Sequence, residues 1–309
     1  MTARHMRGMG LAVPQVVRDG WSGPELRAFV TRAEQLGYDS LWVCELLSAP
    51  ILDPVGLLNY LAALTTRPRL GVAVLVTPLR VPYQLAADLA TVDRLSDGRL
   101  IAGVGLGDHR ESYARYGLSS ERRLRRYLDG LELIGRLWTR DRVTFDSQWW
   151  RLDDAPAGVR PLQRPRPPLW IGARDERAVR RAAEIGDGWV GSGSSSAEEA
   201  LRSLDVVRAR LAELGRDPET FALAKRVYLH VTDDQRRDTG RLRRWFGDNY
   251  GRPGLADTVP VVGEAEHCAG QLRRLREAGI RTVILHPVLD EAEQMERLAA
   301  EVIPSVGFQ

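Results

Sequence analysis

The chain has 309 residues, with 44 basic against 41 acidic side chains and a formal net charge of +3. So even a balance, with no stripe of interleaved basic and aromatic residues, argues against a nucleic-acid surface. No apolar run approaches the roughly 20 residues of a membrane-spanning helix. The N-terminal MTARHMRG lacks the apolar segment of a secretion signal. A cytoplasmic location is therefore expected, with Cys44 and Cys268 as reduced core thiols.

Strand and helix alternate along the chain. Gly8–Val13 is a first apolar strand. Leu26, Phe29, Val30, Ala33 and Leu36 fall on one face of a helix over Glu25–Leu36, which Gly37 ends. Ser40–Val43 is a second strand and Pro54–Leu64 a second helix. Gly71–Val76 is a continuous apolar run, as a strand covered on both faces requires. Pro78 and Pro82 punctuate it, and Leu85, Leu89 and Val92 recur at helical spacing. Asp97-Gly98 turns the chain into the buried strand Leu100–Val104, which runs into Gly103, Gly105 and Gly107. Glycines there admit close approach of backbone to a ligand. Arg122–Trp138 is a helix, and Arg142–Leu152 a short hairpin excursion. The proline-rich Arg160–Pro168 is a connection inside the domain, because Leu169–Ile171 resumes the buried pattern at once. Ala178–Ile185, Gly188–Val190, Glu198–Leu214 and Phe221–Val231 continue the alternation. Gln235–Tyr250 is an extra helix. Glu264–Ala278, Thr282–Leu285 and Glu291–Val302 complete it.

Eight strand–helix pairs predict the α/β class: a closed (β/α)8 TIM barrel with insertion segments, one domain over residues 1–309. An open doubly wound sheet is disfavoured, since the first strand-to-helix turn, Pro14–Gly23, has no G-x-G-x-x-G. In such a barrel the site lies at the C-terminal strand ends. The polar residues there are Gln15, Glu45, Thr77, Asp108, His109, Glu111, Arg174, Asp175, Ser192, Ser194 and His286. His230, His267 and Lys225 are expected to be structural or away from the site. With no H-E-x-x-H, no cysteine pair and no ligand-rich loop, no metal is predicted.

Five segments carry a resemblance: AEQLGYDSLWV (33–43), LGVAVLVTPLRVP (70–82), LATVDRLSDGRLIAGVGLG (89–107), PLWIGA with RRAAEIGDGWV (168–190), and VVGEAEHCAGQLRRLREAGIRTVILHP (261–287). In this order they resemble the bacterial-luciferase-like family, and within it the deazaflavin (F420)-dependent oxidoreductase branch. The resemblance implies a non-prolyl cis peptide at Ala73–Val74, a bulge supporting the cofactor's central ring. It places Ala73, Val74, Val76, Gly105, Gly107, Glu111, Ala173, Arg174, Asp175 and Ser192 around the cofactor. Similar enzymes carry an acidic residue followed by histidine after the second strand. Here Cys44-Glu45-Leu46 keeps the acid and loses the histidine, so no mechanism can use that imidazole. Glu45 is left either as a catalytic or ring-edge residue or as a partner for a backbone amide. A carboxylate at Asp108, or the adjacent His109, is the implied proton donor. Arg174 and Asp175 replace the glycines that admit a phosphate in relatives; Arg174 and the amides opening the next helix are the substitutes available.

The implied function is F420-dependent hydride transfer to or from a small organic substrate. One alternative is an FMN-dependent two-component monooxygenase fed by a separate flavin reductase. Another is a flavin-free family member, acting as a partner subunit or in cofactor-independent chemistry. Apolar surface on the second and third helices suggests a homodimer. The extra helix, with Trp245, Phe246, Asn249, Tyr250 and Arg252 in or beside it, either covers the substrate or packs a neighbouring subunit.

Overall fold

The computed structural model describes residues 8–16, 21–107 and 111–307. It begins β1 (Gly8–Ala12), α1 (Gly23–Gln35), β2 (Ser40–Val43), α2 (Pro54–Leu64), β3 (Arg69–Val72), β4 (Leu75–Val76), α3 (Pro82–Leu95), β5 (Leu100–Gly105), α4 (Ser112–Arg115) and α5 (Arg123–Thr139). It continues β6 (Arg142–Asp146), β7 (Arg151–Pro156), β8 (Leu169–Ala173), α6 (Glu176–Ile185), β9 (Gly188–Gly191), α7 (Ala197–Glu213), β10 (Ala222–Val231) and α8 (Gln235–Tyr250). The last elements are β11 (Val261–Gly263), α9 (Ala265–Glu277), β12 (Thr282–His286), α10 (Glu291–Arg297) and α11 (Ile303–Val306).

The parallel strands run β1, β2, β3 with β4, β5, β8, β9, β10 and β12, and β12 pairs with β1 again. The sheet closes on itself as an eight-stranded barrel. The apolar run that reads as one strand is interrupted at Ala73–Val74, giving β3 and β4. β10 is ten residues long and outruns the barrel; its last three residues pair with β11, a short strand the sequence pattern does not mark. The hairpin β6–β7 stands outside the barrel. Among the described residues no helix is long and apolar enough to cross a membrane.

Local chemistry sets the helix ends. Ser22 and Glu25 form a reciprocal cap on α1, and Ser196 and Glu199 repeat it on α7. Asp53 caps α2 through the amides of Val55 and Gly56. α8 starts at Asp234 and stops at Gly251, whose φ of 66° is the left-handed conformation that ends a helix.

The barrel interior is filled, not hollow. Trp42 and Trp170 lie against each other with centroids 5.3 Å apart. Gly71 makes room for the first, since a Cβ on it would fall 2.3 Å from the Trp42 ring. Gly103 faces the Val72 carbonyl, and a Cβ there would sit 1.8 Å from that oxygen. Backbone must then move, so Gly103→Ala is expected to destabilise the protein by about 2–4 kcal/mol. Gly135, on α5 with nothing within 4 Å of its missing Cβ, is the control. Gly135→Ala should stabilise by about 0.5–1 kcal/mol. Urea unfolding followed by far-UV circular dichroism measures both.

Candidate active site

The Ala73–Val74 peptide bond is cis. Three groups fix the chain around it. Ala73 donates its amide to Val43 O at 2.8 Å. Downstream, Val76 donates its amide to Glu45 Oε2 at 2.6 Å, and Arg80 closes on Glu45 Oε1. From across the barrel, Arg226 Nη1 donates to Ala73 O at 3.2 Å. Both Glu45 oxygens are thus engaged, and its side chain is only 8% exposed. Of the two roles open to Glu45, the geometry shows the partner of a backbone amide: it clamps the bulge at Val76.

The glycines at the end of β5 make room first for the protein's own chain. A Cβ on Gly105 would fall 2.7 Å from a Val74 methyl, one on Gly172 2.8 Å from another, and one on Gly107 2.8 Å from Val76. Their missing side chains house the bulge. Val74 itself stays half-exposed toward the barrel mouth, an apolar rest carried on fixed main chain.

Opposite the bulge lies a polar–aromatic cluster. Arg226 points inward from β10 and is 9% exposed. Beyond Ala73 O, it donates through Nη2 to Tyr250 Oη at 3.2 Å. Tyr250 and Tyr228 share a hydrogen bond of 2.7 Å between their hydroxyls. His286 stacks on Tyr228, centroids 4.8 Å apart; its Nδ1 has no partner among the described residues. Burial first, and then the Arg226 charge, hold that imidazole well below its ordinary pKa, so it is neutral. Gln15, Cys44, Tyr228, Trp245, His286 and Glu291 line a cavity of about 20 Å³, room for one water. Gln15 itself is spent on backbone, donating to Cys44 O and Leu52 O. Tyr250 is the last residue of α8, so the extra helix reaches over the mouth. Ser48 Oγ anchors it through Asn249 O.

The remaining predicted residues fall at the rim. Arg174 pairs with Glu199 at 2.9 Å. Asp175 is the N-cap of α6 and accepts from the Ala178 amide at 3.0 Å. The Asp175 carboxylate thus takes the Ala178 amide, one of those that open this helix. Ala173 is buried beneath. Ser192 and Ser194 share a hydrogen bond of 2.9 Å. Glu111 is exposed at the start of α4, and Thr77 is buried. Asp108 and His109 lie outside the described residues. His230 stays on β10 near Asp238, 3.5 Å away. Among the described residues no group of three or more His, Cys, Asp or Glu is placed to hold a metal.

The fixed, half-exposed Val74 offers a flat, largely apolar ring a rest along one edge. Ala73, Val76 and the β5 glycines fix that rest, and the hydroxyls of the Ser192–Ser194 loop could hold a polar tail.

A model of luciferase-like monooxygenases matches residues 14–282. The chain belongs to this family. It is 26% identical to an F420-dependent glucose-6-phosphate dehydrogenase of Kineococcus radiotolerans, over 91% of this chain and 92% of that one. It is 29% identical to a 5,10-methylenetetrahydromethanopterin reductase of Archaeoglobus fulgidus, over 70% of this chain and 63% of that one. Its fold matches an F420-dependent secondary alcohol dehydrogenase solved with an F420–acetone adduct. That match has a TM-score of 0.84 at 19% identity, over 97% of this chain and 99% of that one.

In this luciferase-like barrel the residues missed by sequence reasoning are consecutive: Lys225 and Arg226. Lys225, expected to be away from the site, turns its Nζ to Ser195 O at 2.9 Å and to Ser192 O. It therefore holds the loop at the rim. The available signal was two adjacent cations within FALAKRVYLHV, an otherwise apolar strand. Charges are seldom fully buried without a partner.

Burial, then the neighbouring Arg226 charge, push Lys225 down to about 7. Between pH 7 and about 10 the unfolded chain, with an ordinary lysine, binds more protons than the folded one. The Lys225 contribution to unfolding free energy therefore rises with pH across that window and is flat below it. Lys225→Met should remove this rise. Urea midpoints of both proteins from pH 6 to 10 test it, and equal slopes would contradict the assignment.

Proposed function

We propose that this protein is an oxidoreductase that uses the deazaflavin coenzyme F420 to pass a hydride to or from a small organic substrate. The observation that carries the reading is the clamped Ala73–Val74 bulge, with Val74 half-exposed at the barrel mouth. Relatives named for F420 dependence support the choice of cofactor. When bound, the deazaflavin supplies a two-electron carrier that gives or takes hydride at its central ring.

The protein contributes position and dryness. Ala73, Val74 and Val76, with Gly105 and Gly107 behind them, carry the ring. Glu45 holds the rest in place. Glu111, Ala173, Arg174, Asp175 and Ser192 would hold the remainder of the cofactor, Ser192 and Arg174 taking its polar tail. Asp108 and His109, which follow β5 in the sequence, are candidate proton-transfer groups. Leu46, half-buried beside the cavity, excludes water without exchanging protons.

The same reading takes the chain as one barrel domain working in the cytoplasm as a homodimer. Cys44 and Cys268 are free thiols, in keeping with a reducing compartment. Val81, Tyr83 and Leu95, in and beside α3, expose apolar surface in keeping with a subunit contact.

Titration with F420, followed by quenching of deazaflavin fluorescence, and with FMN, followed by flavin fluorescence, tests the cofactor. F420 should bind at least about tenfold more tightly, or ~1.4 kcal/mol. The reverse order would make the protein an FMN-dependent monooxygenase fed by a flavin reductase. Binding of neither would make it a flavin-free member of the family. Light scattering on the eluting peak reads the dimer, and a monomer at micromolar concentration would remove that part.

A further inference from the structure

Arg226 is a buried cation, and among the described residues no carboxylate lies within ion-pair distance of it. Its partners are a backbone carbonyl and a phenol, Ala73 O and Tyr250 Oη, with the Cys44 thiol and the Tyr228 ring alongside. Its Nε has no partner and rests against Gly193, where a Cβ would fall 2.3 Å from that nitrogen. A guanidinium does not shed its proton to escape burial. Left unpaired, it costs stability.

The arrangement is that of a site waiting for negative charge. Tyr250 Oη lies one guanidinium beyond the bulge carbonyl and is held from its other side by Tyr228. Leu46, by contrast, has no proton to give.

We propose that Arg226 and Tyr250 together seat the reacting oxygen of a carbonyl or secondary-alcohol substrate. Tyr250 exchanges the proton and Arg226 carries the counter-charge. The proposal rests on the oxidoreductase reading and assigns its proton step and substrate class. In the reducing direction, a hydride adds to the carbonyl carbon and the C=O π pair moves onto oxygen. The Tyr250 O–H bond breaks and its proton goes to that oxygen, giving the alcohol. The carbonyl is reduced and the deazaflavin oxidised, and the phenolate left on Tyr250, beside Arg226, regains its proton from water at the mouth. The oxidising direction reverses each transfer. Charge that grows on oxygen during the step meets a fixed cation, which is where preorganised electrostatics act most strongly.

Two variants and two kinds of measurement test this. Tyr250→Phe keeps the ring and removes the hydroxyl. It should lower kcat for a ketone or secondary alcohol by about 10²-fold with a much smaller change in KM. The solvent isotope effect on kcat should change, and F420 affinity by fluorescence quenching should not. Arg226→Met removes the charge together with the hydrogen bond to Ala73 O, so a lower melting temperature is expected whatever the charge does and decides nothing; the readout is anion protection without any cofactor. The parent should be stabilised by millimolar acetate, an anionic-oxygen probe, and the variant should not.

Unchanged kcat and isotope effect in Tyr250→Phe would overturn the proton assignment. No acetate protection of the parent, or equal protection of parent and Arg226→Met, would leave Arg226 a bulge clamp only and overturn the oxygen seat. If the parent neither binds F420 nor turns over such substrates, the oxidoreductase reading fails and the proton step with it. The acetate measurement still decides the anion seat by itself.

Discussion

The structure turns on the bulge between β3 and β4. A strand that leaves the barrel for two residues gives up ladder hydrogen bonds, and those polar groups must find partners elsewhere. They find them on three sides: Val43 O for the Ala73 amide, Arg226 for the Ala73 carbonyl, and Glu45 for the Val76 amide. Two of these partners are charged, and charge-assisted hydrogen bonds are the stronger kind. The rest that carries Val74 is therefore held by side chains from β10 and from the β2 loop, elements far apart in sequence. It is rigid because they cross the barrel to reach it.

Rigidity of that kind needs space. Gly103, Gly105, Gly107 and Gly172 line the path of Val72, Val74 and Val76, and each would clash if it carried a side chain. Below them Trp42 and Trp170 fill the barrel floor. The mouth is shallow as a result: an indole floor, a valine rest, and a wall of Arg226, Tyr228 and Tyr250. A flat guest is the shape that such a space admits.

Much of this was legible in the sequence. The eight-fold alternation, the helix ends at Asp53, Gly37 and Tyr250, and the family resemblance all lie in local patterns. The position of the cis bond came only from that resemblance; the apolar pattern of LGVAVLVTP by itself reads as one unbroken strand. What local pattern could not supply was which side chain meets which across the barrel. The β5 glycines looked like an approach for a ligand, because nothing local says that Val74 fills the space they leave. Glu45 looked reactive because its two partners, Val76 and Arg80, lie more than thirty residues on. Lys225 looked remote because strand alternation places it on the outer face of β10; its long stem nonetheless carries Nζ up to the Ser192–Ser195 loop. Asp175 was read with Arg174 as a replacement for glycines near the cofactor, although an aspartate three residues before an alanine-rich helical turn is an N-cap pattern.

On the β2 side of the mouth Leu46 exchanges no proton, and at α6 the Asp175 carboxylate is spent on the helix cap. The polar groups gather instead on β10 and on the helix that follows it: Lys225 under the Ser192 loop, Arg226 on the bulge carbonyl, Tyr228 behind Tyr250. β10 is also the strand that outruns the barrel, and that extra length is what lets α8 fold back and set Tyr250 over the mouth. A barrel whose strands all ended level would have no element in that position. The length of one strand thus decides where polar chemistry can reach a guest lying on Val74.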